Sequence, residues 1–462
     1  MKRLMLAITA ALIPVAASAA TPEDEAYARA LIEKAVSFKS TAKHGETPKM
    51  AAWLAGEFRK AGFKKEDVEI VPAGKSVGLI VRYRGDQSAG KAPVVFLGHM
   101  DAVEADPADW TTDPFKLVEK DGVFYGRGLV DNKYGVIDLT QTFVRLKKEG
   151  FTPTRDLVIA FSGDEETEMA TTRALAEKLK DAAFALNSDA GGGSEGVDGK
   201  PTVYYIQAAE KTYATFELTI RNSGGHSSQP RADNAIYELA SALKKIEAHQ
   251  FPVMWNDITL RSFEASAANA DKKTAEALRR FVNKPGDKKA VKTLSGATHY
   301  NAVMRTTCVA TMLKGGHAEN ALPQAATATV NCRIFPGVSV DDVKAELARV
   351  AGDPKIEFAT LHEPVESPAS VLTPEIESAV IAAVRTRYPD ASAVPYMEAG
   401  GTDGLHFRRA GVPTFAVGSL VLRETDEPNY HGMNENLRVD AFYAGLDHWT
   451  RIIKALASPA AP

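Results

Sequence analysis

Thiols are scarce in this chain: Cys308 and Cys332 are the only cysteines in 462 residues. A metal centre built from clustered thiolates is therefore excluded. Excess positive charge is missing too. The formal net charge is −4 and no basic stripe runs along the sequence, which excludes a nucleic-acid footprint. No apolar run reaches the ~20 residues of a membrane-spanning helix; Leu4 to Ala17 falls short. There is no internal repeat and no low-complexity tract beyond an Ala/Pro tail. Gly191-Gly192-Gly193 has no phosphate-loop pattern around it. What is present, 45% hydrophobic and 25% charged residues, is normal for a globular protein. The length exceeds what one core fills, which predicts two domains.

The first residues have the form of an export leader. Lys2-Arg3 precede the run Leu4–Ala17, and Ala17-Ser18-Ala19 offers small residues for cleavage, with Ala20 or Thr21 as the mature start. An uncleaved anchor is the other reading. Cleavage implies a periplasmic or secreted protein.

From about Pro22 to Gln207 helical and strand patterns alternate. Glu25–Ser37, Thr47–Ala61 and Tyr134–Glu149 have helical periodicity, whereas Val77–Tyr83, Val94–Gly98 and Asp156–Ser162 form strand-like runs, the last two almost wholly apolar. This predicts an α/β fold, a mostly parallel sheet with helices on both faces, with ligand sites at the carboxyl ends of strands. A different order starts near Lys211: strand Tyr213–Arg221, helix Asn234–Ala248, strands Ala302–Leu313 and Ala325–Phe335, helix Val340–Val350, and a strand near Lys355–Thr360. That order predicts a ferredoxin-like α+β domain with helices on one face. A polar, helix-prone insertion over about Ala267–Lys292 interrupts it. The first pattern resumes after Pro364 with helix Pro374–Arg387, strand Thr414–Gly418 and helix Asp440–Ala457. The expected division is a leader at 1–19, an α/β domain from 20–210 and 365–462, and an inserted domain at 211–364. Cys308 and Cys332 fall nearly opposite each other on two of the inserted strands. A disulfide and two buried thiols both stay open, because a slip of one residue separates them.

His99, Asp131, Glu165-Glu166, Asp189 and His431 form an ordered series, each beside small or turn-forming residues where a predicted strand ends. Zinc takes imidazole nitrogen and carboxylate oxygen, and one carboxylate can bridge two ions about 3.5–4 Å apart. Such a pair needs a shared Asp, plus one His and one further carboxylate for each ion. The series therefore predicts a dizinc hydrolase.

Four motifs carry a resemblance to a known family: Gly98-His99-Met100-Asp101, Gly126-Arg127-Gly128 leading to Asp131-Asn132-Lys133, Ser162-Gly163-Asp164-Glu165-Glu166, and Tyr430-His431-Gly432. They resemble the dizinc hydrolases that include carboxypeptidase G, aminoacylases, acetylornithine deacetylase, succinyl-diaminopimelate desuccinylase and carnosinase-like dipeptidases. The likeness runs through nearly the whole mature chain. It implies a catalytic α/β domain of the zinc exopeptidase type with two zinc ions, cobalt or manganese being compatible with the same donors. It also implies an inserted lid that often mediates dimerisation.

Under this resemblance Asp131 bridges the ions, Glu166 and His431 complete one site, and His99 with Asp189 the other. Asp101 is expected to orient His99 through its second ring nitrogen, and Asp164 to be structural. Glu165 is implied as the general base that activates water and then protonates the departing amine. His226, in Asn222-Ser223-Gly224-Gly225-His226-Ser227-Ser228, is implied to stabilise the oxyanion when the lid closes; without that context it reads as a surface histidine. Arg333 resembles the arginine that holds a substrate carboxylate by two parallel hydrogen bonds, the alternative being a strand-surface ion pair. Asn320 is a further cleft residue. Gly400-Gly401-Thr402-Asp403-Gly404 resembles a loop that approaches the substrate backbone, and also reads as a plain turn. Two departures stand out. Tyr134 follows Lys133 where many members have Gly, and the fifth ligand is Asp189 rather than Glu, as in aminopeptidase- and dipeptidase-like members.

The expectation is an exported zinc exopeptidase of the dipeptidase or carboxypeptidase type. An N-acyl-amino-acid amidohydrolase on the same metals is the first alternative, and a non-catalytic metal- or peptide-binding protein the second. Expected partners are small peptides or N-acyl amino acids and a second copy of the chain through the lid. Nucleic acid and stable membrane insertion after processing are not expected.

Overall fold

Residues 19–197 and 201–459 are described by the computed structural model, so all but the last residue of the expected leader, 1–19, lies outside the described residues. The first helix, Pro22–Ser37, is set by its own sequence: Thr21 and Asp24 form a capping box and Pro22 occupies the first turn.

The larger of two main sheets has ten strands. Their spatial order is Val68–Ala73, Ser76–Tyr83, Leu157–Ser162, Val94–His99, Phe184–Asn187, Thr414–Ala416, Val203–Glu210, Gly192–Ser194 and Val421–Leu422, with Ser392–Glu398 also pairing on Val203–Glu210. Val94–His99 runs parallel to both its neighbours, and all six of its residues are buried. Phe96 faces a core shared with Phe143 and Trp449, whereas Val95 and Leu97 face Leu175 and Phe407 on the other side. Covering both faces is what turns these strands into continuous apolar runs.

The smaller sheet is antiparallel, in the order Thr307–Gly315, Ala325–Ile334, Thr212–Arg221 and Glu357–Leu361. Along Ala325–Ile334 half-buried and buried residues alternate, and the buried row packs with Leu239 and Leu347 from helices Ala235–Ala248 and Val340–Ala351. Cys308 and Cys332 face each other in register and are disulfide-bonded.

The helical insertion is longer than its polar stretch suggests. Four helices, Asp257–Asn269, Lys272–Asn283, Lys288–Leu294 and Thr298–Val303, enclose Phe263, Leu278 and Phe281. The first of them packs on strand Ser392–Glu398 of the larger sheet. Because Thr298–Val303 is helical, the strand expected from Ala302 begins at Thr307.

One residue, Lys211, separates strand Val203–Glu210 of the larger sheet from Thr212–Arg221 of the smaller. Its buried Nζ donates to the carbonyls of Ala302 and Arg305 and to Thr307 Oγ1, and burial pulls its pKa down to about 7. The chain returns through residues 362–373, which form no helix or strand. Among the described residues no helix is long and apolar enough to cross a membrane.

Candidate metal centre

Strand ends and one irregular turn bring the donors together. His99 closes Val94–His99, Glu165 and Glu166 follow Leu157–Ser162, and Asp189 follows Phe184–Asn187. Asp131 lies in the turn Leu129–Lys133 ahead of helix Tyr134–Lys148, with φ −127° and ψ 89°. Gly135 lets that helix close on the sheet, because a Cβ there would lie 2.3 Å from Ser188 Oγ.

Asp131 stands between both imidazoles. Its Oδ1 is 2.8 Å from His99 Nε2 and its Oδ2 is 3.0 Å from His431 Nε2. His99 Nε2 is also 3.4 Å from Asp189 Oδ1, and His431 Nε2 is 3.1 Å from Glu166 Oε1. Two donor sets share Asp131, His99/Asp131/Asp189 and Asp131/Glu166/His431, and a third group joins His99, Glu165 and Glu166, each with its ligand atoms within 4.8 Å of one another. Imidazole nitrogen, carboxylate oxygen and one shared carboxylate suit a pair of divalent ions of zinc type.

Proximity and burial shift these groups. Hydrogen bonds with Asp131 and Glu166 push His431 up to about 10. Burial raises Asp189 to about 8 and lifts Glu165 well above the usual carboxylate range. Burial acts on Asp131 in the same sense, yet hydrogen bonds from His431 and His99 outweigh it and hold Asp131 low.

Asp101 joins two motifs. Its carboxylate accepts the N–H groups of Glu165 (3.2 Å) and Glu166 (3.0 Å), and its Oδ1 is 3.4 Å from His99 Nδ1. Asp164 turns away to accept from Ala170 and Thr171 at the start of helix Ala170–Lys178. The Glu165 carboxylate, grouped with His99 and Glu166, has no hydrogen-bond partner among the described residues.

Sequence reasoning missed Glu435. Fully buried, it accepts from the N–H groups of Gly128 (2.8 Å), Val130 (2.7 Å) and Asp131 (3.2 Å) and pairs with Arg127 at 2.8 Å. Arg127 also donates to the Gly432 carbonyl at 2.7 Å. One carboxylate thus ties the turn carrying Asp131 to the loop carrying His431. The available signal was an acid four residues after His431. Asp403 was likewise read only as part of a loop; it is buried and accepts from Ser162 and Thr172, both next to the Glu165-Glu166 segment.

The remaining expected residues divide by position. Arg333 is half-buried, lies 4.6 Å above the Tyr213 ring and donates to the Ala399 carbonyl at 3.1 Å, so it meets the 399–403 loop of the larger sheet. In that loop Gly400 N–H bonds Glu398 Oε1, Gly401 follows it, and the Thr402 hydroxyl donates to Glu210 while accepting from Asn187. The Thr402 hydroxyl is therefore engaged within the protein. His226 lies in a small ribbon, Gly225–His226 paired with Ala321–Leu322, and Asn320 just precedes its second strand, where Ser227 N–H donates to the Asn320 carbonyl; His226 is exposed. Neither shares a hydrogen bond with the two donor sets among the described residues.

Known proteins share this arrangement of fold. The chain is 28% identical over 370 residues to the N-fatty-acyl-amino acid synthase/hydrolase PM20D1 of Xenopus tropicalis, covering 78% of this chain and 72% of that protein. The M20 family metallo-carboxypeptidase Sso-CP2 from Sulfolobus solfataricus superposes with a TM-score of 0.71 at 19% identity, over 94% of this chain and 99% of that one. The di-peptidase Dug1p from Saccharomyces cerevisiae does so at 0.69 and 17%, over 95% and 97%. A family profile matches residues 95–455, and the chain belongs to peptidase family M20/M25/M40.

Proposed function

We propose that this peptidase-family hydrolase is an exported dizinc exopeptidase that cleaves a peptide amide beside a free carboxylate. The observation that carries the reading is Asp131 held between two imidazoles, each with a further carboxylate beside it. Asp131 would bridge the ions, with His99 and Asp189 on one and His431 and Glu166 on the other. When bound, such ions polarise the scissile carbonyl and make water more acidic. Glu165, free of protein partners, takes the proton of the attacking water and returns it to the departing amine nitrogen. Asp101 fixes both the His99 ring and the Glu165-Glu166 backbone. Arg333 pairs with the substrate carboxylate next to the 400–402 loop, and His226 reaches the oxyanion as the smaller sheet closes.

Export is supported by the leader pattern and by the Cys308–Cys332 disulfide, which suits an oxidising compartment. A dimer through the smaller sheet is supported by its edge strand Thr307–Gly315, which exposes Val309, Met312 and Leu313. The relative from Xenopus favours a second reading, hydrolysis of N-acyl amino acids at the same centre.

Mature protein assayed against dipeptides, longer peptides and N-acyl amino acids, before and after chelation and with zinc restored, separates these readings. Zinc-dependent release of amino acids from peptides is the expected result. Cleavage confined to acyl amino acids moves the protein to the second reading. No turnover with zinc bound rejects both.

A further inference from the structure

Glu210 closes strand Val203–Glu210, is buried, and belongs to neither donor set. A chain of buried side chains nevertheless leads from it to a donor. The Thr402 hydroxyl donates to Glu210 Oε1 at 2.5 Å and accepts from Asn187 Nδ2 at 3.1 Å and from the Gly404 N–H at 3.1 Å. Asn187 Oδ1 in turn accepts from the N–H of Asp189 at 3.1 Å. On the other side of the carboxylate, Arg408 Nη1 stands 3.2 Å from Glu210 Oε2, and that guanidinium also donates to the Thr414 carbonyl and to Gln207. Burial pushes the Glu210 carboxyl up and Arg408 opposes the shift, so the ion pair is what keeps this buried group a carboxylate.

The direction of every bond in this chain follows from the charge at its start. A carboxylate only accepts, so the Thr402 hydroxyl must give its one proton to Glu210. Its two lone pairs are filled by Gly404 and Asn187, which turns the Asn187 amide nitrogen toward Thr402 and leaves the amide oxygen for Asp189. A neutral amide in place of Glu210 has one oxygen for two neighbours. The charged guanidinium makes the stronger bond and takes it, so an NH₂ group faces Thr402. The hydroxyl then meets three donors with two lone pairs. The Gly404 N–H is fixed in the backbone, so Asn187 gives way and the Asp189 N–H loses its acceptor.

We propose that Glu210 is a positioning residue for the metal centre: by the polarity it imposes on Thr402 and Asn187, it fixes the backbone that presents Asp189 to the ion held with His99 and Asp131. The proposal rests on the dizinc reading above and adds to it a residue outside both donor sets.

Zinc titration of the metal-free protein in competition with a chromophoric chelator tests this without turnover. The unaltered protein is expected to take up two ions, one of which Asp189→Asn abolishes. Glu210→Gln is expected to weaken that same ion about 10–100-fold, the scale of loss when a partner of a metal ligand is removed, and to leave the other unmoved. Glu210→Gln combined with Arg408→Met removes the competing guanidinium, so the amide oxygen turns back to Thr402 and the affinity is expected to recover, whereas a purely structural lesion would deepen. Thr402→Val should repeat the selective loss with the ion pair intact, and Thr402→Ser should bind as the unaltered protein does. Unchanged affinity in Glu210→Gln, equal weakening of both ions, or a folded double variant without recovery overturns the assignment. Should the Glu210 variants not fold, equal affinities in Thr402→Val and Thr402→Ser overturn it. Uptake of fewer than two ions by the unaltered protein rejects the dizinc reading, and the assignment with it.

Discussion

The two sheets present their share of the site in opposite ways. On the larger sheet His99 is fully buried, its Nε2 is fixed between Asp131 and Asp189, and the backbone around it is tied down by Asp101 and Glu435. On the smaller sheet His226 is exposed and its ring nitrogen meets only its own loop, at Ser228. Groups that must act on water and carbonyl with small positional error are preorganised. The groups proposed to meet the substrate from outside ride on a unit whose chain joins the rest at Lys211 and the 362–373 return and which also packs on Ser392–Glu398. Under the proposed function the contrast separates chemistry from capture, and substitutions can break or sharpen it.

The largest effect is expected on the buried side. Glu165→Gln should lower kcat by about 10²–10⁴-fold while elemental analysis finds the same metal content. Wild-type turnover would remove Glu165 from its role. Glu435→Gln leaves the Arg127 guanidinium buried without its counter-charge, which costs about 3–5 kcal/mol of stability, and it should weaken metal affinity about 10–100-fold. Denaturant unfolding and a metal-competition titration read these two losses. On the exposed side, His226→Ala should reduce kcat by roughly 10²–10³-fold with unfolding midpoint and metal affinity unmoved. A fall in metal affinity in that variant would erase the distinction between the sheets.

The smallest effect belongs to the junction. Burial holds Lys211 near 7, below its ordinary 10.5, so between those pH values the unfolded chain binds more protons than the folded one. Stability should therefore rise with pH across that window, by no more than about 1.4 kcal/mol per pH unit. Lys211→Met should flatten the slope in urea unfolding at pH 7, 8 and 9; an equal slope in both proteins would contradict the buried, deprotonating lysine.

His99, Glu166 and Asp189 were legible because each ends or follows an apolar strand, and sequence alone can find where such a strand stops; Asp131 and His431 lie in turns and stood out only by their motifs. The ferredoxin-like order was legible from its helical and alternating periods. Strand Gly192–Ser194 was not, since glycine offers no alternating side chains to read. Ser392–Glu398 was hidden by Pro395, a residue that a strand tolerates at a sheet margin; among the described residues it pairs only with Val203–Glu210. Glu435 looked like a solvated loop acid, because its burial depends on Arg127, 308 residues earlier in the chain. The fate of Cys308 and Cys332 turned on register, which only the paired strands fix.

The one-residue junction has a mechanical consequence. Arg333 sits opposite Tyr213, beside the pivot, whereas His226 lies beyond the far end of strand Thr212–Arg221. At ~3.4 Å per residue that strand is an arm of roughly 34 Å, so a turn of about 10° at Lys211 sweeps its tip through about 6 Å. The same turn barely displaces Arg333. On the proposed function, a substrate held by the arginine would keep its register while the histidine travels, and the amplitude of such a closure would be governed by leverage rather than by loop flexibility.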